Sequence, residues 1–262
     1  PGLSPILPMG RLAMIESDVL VMKFQELGLF TLAEELQRMF FDPKFQDIHP
    51  FELLGMALDE ELGQRSGKQA DRLLKRAKLK HTHACIGEIE YRPERQLDRT
   101  LVERLSLCDY ARTHRNICVF GASGTGKSFL GKALGVAACN AGFRTLYIRF
   151  SALMRELARL EKNDSKKYES RLKYYGRIPV LIIDEWLADA KKTGYAAILL
   201  ELMEIRYSVT STIFCSQLDP EGWPLALDVK ALGQSVMGRA VSNSFVLHVS
   251  GEDMRKYYSK KP

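Results

Sequence analysis

The octapeptide Gly121-Ala122-Ser123-Gly124-Thr125-Gly126-Lys127-Ser128 narrows what this chain can fold into more than any other feature. It has the form G-x-x-x-x-G-K-[ST], follows an apolar run at 117–120, and opens a helical segment near Phe129. Glycines at this spacing let successive backbone N–H groups turn inward around phosphate oxygens. The start of the following helix adds about half a positive charge. Such a loop needs a strand before it and a helix after it, so the chain must contain an α/β region. The spacing places Lys127 against the β and γ phosphates of a nucleotide and the Ser128 hydroxyl on Mg²⁺, making ATP and Mg²⁺ the expected ligands.

A second element completes that expectation. Val180-Leu-Ile-Ile-Asp184-Glu185 is a fully apolar strand ending in two carboxylates. In open α/β sheets, ligands bind at the C-terminal edge of the strands. Asp184 is therefore expected to hold Mg²⁺, directly or through water, and Glu185 to orient and deprotonate an attacking water. A carboxylate in that place favours hydrolysis over transfer to a second substrate. A third apolar run, 212–215, ends in Ser216 and Gln217, which are placed to touch the γ-phosphate or the water. Together with runs at 145–148 and 245–249, these segments predict an α/β fold with a five-stranded, mostly parallel sheet.

The first hundred residues have helical rather than strand periodicity. Asp18 is a candidate cap for a helix reaching Leu27, with Gly28 as its stop. Thr31-Leu-Ala-Glu34 fits a capping box that would turn Leu32, Leu36, Met39 and Phe40 inward, and Asp42-Pro43 ends that helix. Pro50 opens a long helical stretch to about Leu79, softened at Gly63 and Gly67. Ala70, Leu73, Leu74 and Ala77 give it one apolar face. The expected organisation is a small helical domain at 1–80, a linker at 81–96 and an α/β domain at 97–262.

Charge is unevenly placed. Arg65, Lys68, Arg72, Lys75, Arg76, Lys78 and Lys80 face one acid, Asp71, within 65–80, an excess equal to the whole chain's formal +6. A basic stripe on a neutral body predicts a polyanion partner, nucleic acid above all; the alternative is a solvated helix face. A second cluster holds Lys162, Lys166, Lys167, Arg171, Lys173 and Arg177 against Asp164 and Glu169, and is open to the same two readings.

Other classes are disfavoured. No run approaches the roughly 18 apolar residues of a membrane span, so no membrane partner is expected. Residues 1–8 have neither the basic start nor the apolar run of a signal peptide. Five cysteines at irregular spacing, with no C-x-x-C pair, fit neither a disulfide framework nor a zinc ribbon and suggest the cytoplasm. His81-x-His83-x-Cys85 lacks a fourth ligand at a zinc-like spacing.

The order of these motifs resembles an AAA+ ATPase, and more closely the IstB family of transposition helper ATPases from insertion sequences. The resemblance rests on Leu27-Gly-Leu, Tyr91-Arg-Pro-Glu-Arg95-Gln-Leu-Asp98, Ile182-Ile-Asp184-Glu185-Trp186-Leu187, Ser211-Thr-Ile-Phe-Cys-Ser216-Gln217, Gly222-Trp223 and Gly251-Glu-Asp-Met-Arg255-Lys256, in matching order over about 24–258. It implies a DNA-binding helical N-domain and an ATPase core; only 13 residues follow Val249, too few for the C-terminal helical lid that many AAA+ proteins carry. It further implies homo-oligomers on duplex DNA with ATP at subunit interfaces, mostly sequence-independent DNA contact, and a partner transposase that performs strand transfer. By the same resemblance Arg239 is an arginine finger acting in trans, although here it follows Gly238 instead of the usual Asp, and Arg255 takes the sensor-two position.

Three other readings stand beside this one. A replicative helicase loader of the same clade shares the ATPase motifs. A P-loop kinase of a small metabolite would carry an arginine-bearing lid and no DNA affinity. A scaffold with a dead site would have lost some of Lys127, Ser128, Asp184 and Glu185, all of which are present.

Overall fold

The computed structural model describes residues 9–227 and 229–258. The chain divides into two compact units, 1–69 and 70–262. The division falls inside a helix, between Gln69 and Ala70, and not beside the expected boundary at 80.

Within the first unit, helix α1 spans Met9–Glu26, α2 Phe30–Phe41, and α3 begins at Pro50 and runs to Ala77. Asp18 lies inside α1 and does not start it. Gly28, at φ 73°, closes α1 as expected. The Gly28 N–H donates to the Gln25 carbonyl and the Leu29 N–H to the Phe24 carbonyl, the paired bonds of a left-handed C-terminal cap. Gly63 and Gly67 do not interrupt α3.

The capping box expected at Thr31 does not form, because Leu29 is the N-cap and Thr31 already lies in the helix. The free Leu32 N–H instead donates to Glu61 Oε2 of α3 at 3.0 Å. Arg65 donates to the other Glu61 oxygen and to the Gly28 carbonyl at 2.8 Å. A carboxylate distant in sequence does the work that a local box would have done. Leu32 and Met39 are buried as expected, but Leu36 is only half-buried and Phe40 is exposed.

In the second unit come α4 (Arg99–Ser106), α5 (Asp109–Arg112), β1 (Asn116–Phe120), α6 (Lys127–Asn140), β2 (Thr145–Arg149), α7 (Phe150–Asn163) and α8 (Ser165–Gly176). They are followed by β3 (Val180–Asp184), α9 (Tyr195–Arg206), β4 (Ser211–Ser216), α10 (Trp223–Ala226), α11 (Lys230–Val241), β5 (Ser244–His248) and α12 (Met254–Tyr258). All five strands are parallel, in the order β2-β3-β4-β1-β5. The expected strands are all present, with ends moved by one residue or so. The segment 81–96 is not a free linker: Ala84, Ile89 and Arg95 are buried, and two 3₁₀ turns, Ile86–Glu88 and Pro93–Arg95, shape it.

Both sheet faces are covered, and side chains alternate between two cores. On β3, Leu181 and Ile183 join Phe150, Trp186, Phe214 and Trp223 on one side, while Val180 and Ile182 join Leu73, Ala77, Leu130 and Leu134 on the other. Helix α6 lies close on the sheet because Gly131 and Gly135 face it. A Cβ on Gly131 would come 2.5 Å from Cys215 Sγ, and one on Gly135 would come 2.3 Å from Ile182 Cδ1.

Arg206 at the end of α9 is wholly buried and has no acidic partner among the described residues. It donates to the carbonyls of Tyr175, Ile178 and Ser211 and to Thr212 Oγ1, so one side chain ties the α8–β3 turn to β4. Burial pulls its pKa down to about 9. Arg206→Met removes these donors and strands their acceptors. Urea unfolding should show a loss of about 3–5 kcal/mol with the m-value unchanged.

Glu61 gives the first unit a pH response. The bonds from Leu32 and Arg65 hold its carboxyl below the usual carboxylate range. A carboxylate lowered in this way stabilises fully above its unfolded pKa of about 4.3, and the contribution fades as pH falls through the folded value. Amide-exchange protection in the first turn of α2 should fall below about pH 4, and Glu61→Gln should lower it already at neutral pH. Equal protection in wild type and Glu61→Gln at pH 7 would exclude this cap.

Candidate nucleotide site

The loop between β1 and α6 sits at the C-terminal edge of the sheet. In the register Phe120 lies beside Ser216, and Arg149 beside Asp184. β4 therefore separates the loop from Asp184, as the two-part motif requires. A cavity of about 370 Å³ opens here. It is lined by Ser123, Gly124, Gly126, Lys127 and Ser128 from the loop, by Asp184 and Glu185 after β3, and by Gln217, Met254 and Arg255.

Lys127 is largely buried, and its ammonium donates to the Ala122 carbonyl at 2.5 Å, an interaction internal to the loop. Burial draws its pKa down. The Thr125 hydroxyl also donates to the Ala122 carbonyl. All three glycines of the loop are blocked to side chains: at Gly121 a Cβ would come 2.0 Å from the Val249 carbonyl oxygen. Gly124, at φ 84°, would place a Cβ 2.3 Å from Asp253 Cγ, and Gly126, at φ 98°, would place one 2.9 Å from Arg95 Nη2.

Asp184 is buried, and both of its oxygens are engaged. Oδ1 accepts from the Ser128 hydroxyl at 2.8 Å and from the Glu185 N–H at 2.9 Å, while Oδ2 accepts from the Tyr147 hydroxyl at 2.6 Å. The Tyr147 pKa is raised by burial first and by Asp184 second. Ser128 and Asp184 thus offer adjacent hard oxygen donors facing the cavity, which suits Mg²⁺ carried in with substrate phosphates. Glu185, at φ 56°, is exposed and forms part of the cavity wall.

The structure separates the remaining expected residues. Gln217 lines the cavity, but Ser216 does not. It is fully buried, donating to the Trp186 carbonyl at 3.3 Å and accepting the Leu218 N–H at 3.1 Å, so it fixes the turn after β4. Arg255 lines the cavity while gripping Asp253 at 2.7 and 2.9 Å, which holds that carboxyl down at about 2. Arg239 on α11 is absent from the cavity wall. It is bonded to Glu204 at 2.9 Å and to the Ser235 carbonyl at 3.2 Å.

The basic residues Arg65, Lys68, Arg72, Lys75, Arg76, Lys78, Lys80, Lys166, Lys167 and Lys173 are exposed, and Arg171 is half-buried. Several have local acidic partners: Arg65 with Glu61, Lys80 with Asp71, Lys167 with Asp164, Lys173 with Glu169, and Arg171 with Glu156.

Sequence reasoning assigned no role to Arg95, Tyr147 or Met254. Arg95 is buried beneath the loop, donating to the Thr125 carbonyl at 2.9 Å and the Glu90 carbonyl at 2.6 Å. The Met254 N–H donates to the Gly124 carbonyl at 2.9 Å. Because Arg95 and Met254 act on backbone carbonyls, no residue pattern reveals them. Tyr147 was accessible in principle: once β2 is placed parallel to β3, its position near the β2 end brings it within reach of Asp184.

Comparison with known proteins agrees with this geometry. The family model described as "IstB-like ATP binding protein" matches residues 22–262. The putative insertion sequence ATP-binding protein y4uH of Sinorhizobium fredii is 32% identical over 88% of this chain and 92% of its own length. The insertion sequence IS1162 putative ATP-binding protein of Pseudomonas fluorescens is 34% identical over 75% of this chain and 84% of its own. Among solved structures, DnaI is similar with a TM-score of 0.55 at 17% identity, covering 64% of this chain and 92% of that one. AMPPCP-bound DnaA from Aquifex aeolicus is similar with a TM-score of 0.54 at 16% identity, covering 68% and 55%. These likenesses establish the fold of the α/β unit. With the phosphate loop, the Asp184–Glu185 edge and the sheet order all in place, the chain belongs to the IstB-like ATP binding protein family and is an ATPase of the AAA+ class.

Proposed function

We propose that this ATPase assembles on duplex DNA through ATP-dependent subunit contacts, reshapes that DNA and delivers it to a partner transposase during insertion-sequence transposition. The observation that carries the reading is the position of Arg239. Lys127, Ser128, Asp184 and Glu185 converge on one cavity, whereas Arg239 stands outside it on α11, partly exposed and bonded to Glu204. A cavity that binds phosphates but takes no finger from its own chain suits completion by a neighbour. Such an arrangement makes hydrolysis depend on assembly.

The insertion-sequence relatives, at 32–34% identity over most of both chains, favour transposition over helicase loading. The DnaC helicase loader shares the fold at a TM-score of 0.51 and 18% identity. Capture of the transposase or of the replicative helicase from solution separates the two.

In the proposed cycle the loop amides and Lys127 bind the phosphates. Lys127 exchanges the Ala122 carbonyl for a phosphate oxygen, a shift within reach of its flexible stem. Mg²⁺ bound at Ser128 and Asp184 would offset phosphate charge. Glu185 accepts the proton of the attacking water, and the Tyr147 hydroxyl keeps Asp184 oriented towards the cavity.

Lys127→Ala should abolish tight ATP binding and, with it, assembly on DNA. Glu185→Gln keeps the phosphate contacts and loses the base, so turnover should fall about 10²–10⁴-fold while DNA complexes form and persist. Normal turnover by Glu185→Gln would remove Glu185 from that role.

Arg239→Ala protein should bind ATP yet lose about 10³–10⁵ in turnover, the range an arginine finger supplies. Mixed with Lys127→Ala subunits, it should regain part of the activity, because some interfaces then pair an intact loop with an intact finger. No recovery in mixtures that co-assemble, or full activity of Arg239→Ala alone, would defeat the trans arrangement.

A further inference from the structure

At the opposite edge of the sheet, where the strands begin, a second cavity of about 430 Å³ is lined by Leu73, Arg76, Arg144, Leu146, Tyr174 and Ile178, with Thr145 completing its wall. We propose that this cavity seats a backbone phosphate of duplex DNA between the guanidinium groups of Arg76 and Arg144. The proposal rests on the DNA-binding reading above and specifies where in the α/β unit contact is made.

The first support is unbalanced charge. Most other arginines of this unit lie against a carboxylate, a carbonyl or an aromatic ring. Among the described residues, Arg76 and Arg144 have neither an ion pair nor a side-chain hydrogen bond, yet they face one cavity. The nearby acid Glu156 is already taken by Arg171 and by the Tyr175 hydroxyl. Two unneutralised guanidiniums sharing a cavity repel each other, and an anion relieves that repulsion. The planar guanidinium fork matches a phosphate's oxygens better than a lysine ammonium does.

The second support is the cavity's construction. Leu73, Leu146 and Ile178 are buried beneath it, so they offer an apolar floor along which arginine stems can lie while their heads stay wet. The Tyr174 ring, exposed at 41%, stands at the rim with the Arg171 guanidinium 5.0 Å from its centre. Arg206 bonds the Tyr175 carbonyl at the end of α8, next to Tyr174, and the Ile178 carbonyl in the turn that follows.

The third support is context. Arg72 and Lys75 lie on the same helix as Arg76, and Arg177 directly precedes Ile178. All three are exposed, and none has an acidic partner among the described residues. A free small anion needs only the cavity, whereas this flanking row suits a polymer with a phosphate every few ångströms. The cavity also joins the two basic clusters, at 65–80 and 162–177, through Arg144, which belongs to neither. It lies about one strand length, roughly 16 Å, from the ATP edge, so it does not compete for nucleotide phosphate.

The test uses the full chain with a non-hydrolysable ATP analogue and a 50-base-pair duplex, titrated with salt. Arg76→Glu and Arg144→Glu should each weaken binding on every sequence, and the double variant should flatten the log–log salt slope by about 0.9, the value of the one lost phosphate contact. Arg144→Lys should keep the slope while losing some affinity. Nucleotide affinity and thermal unfolding should match wild type in all of them, which excludes simple misfolding. If wild type binds the duplex but the double reversal leaves affinity and slope unchanged, the phosphate seat is overturned while the DNA reading survives. If wild type does not bind the duplex at all, both fall together. Normal DNA binding with altered sedimentation would assign the cavity to contacts between copies and likewise overturn the proposal.

Discussion

The Asp184 carboxylate is the junction on which the ATP site depends. It is buried, yet each oxygen has a donor: Ser128 from the phosphate loop, Tyr147 from β2, and the backbone of Glu185. A buried carboxylate without such donors would be costly, and with them it becomes a rigid reference point. Through it the head of α6, the end of β2 and the backbone of Glu185 share one frame. The close approach of α6 to the sheet at Gly131 and Gly135 supplies the other half of that frame, because it sets how far the loop stands from β3.

Local patterns exposed the parts of this architecture that have local causes. The phosphate loop has a fixed spacing because backbone amides must converge, and β3 is apolar from Val180 to Ile183 because both of its faces are covered. Those two features marked most of the cavity, and three further apolar runs completed the sheet. What stayed hidden depends on partners far along the chain. Glu61 caps α2 from another helix, so Thr31 looked like the cap. Ser216 satisfies a turn carbonyl instead of facing a phosphate, a distinction of side-chain direction that residue type does not carry. Arg95 and Met254 act on carbonyls of the loop, leaving no complementary residue in the sequence to betray them.

Arg95 also changes how the segment 81–96 is understood. Polar composition and Pro93 suggested a tether, but composition cannot distinguish a loose loop from one pinned at a few points. Here the pins are specific. Arg95 spans the Glu90 and Thr125 carbonyls, its own carbonyl accepts the Ser250 N–H, and Arg92 lies over the Tyr257 ring while bonding Glu252. The segments on either side of the phosphate loop are thereby joined to each other. A conformational change in the loop on nucleotide binding would be felt both in residues 89–96 and in the start of α12.

The two arginines singled out for phosphate chemistry share one arrangement. Arg255 rests on Asp253 and Arg239 on Glu204, each pair exposed to solvent. Pairs of that kind contribute little to stability, because water screens them and two long side chains must be ordered to form them. They therefore oppose only weakly the transfer of either arginine to a phosphate, whose greater charge makes it the stronger anion. The two differ in reach. Arg255 already borders the cavity of its own chain. Arg239 stands away from the cavity of its own chain, and exchange of Glu204 for a phosphate helps only where another subunit brings its nucleotide to α11. Under the proposed function, the same weak carboxylate restraint permits two controls, one answering to nucleotide binding within a subunit and the other to the arrival of a neighbour.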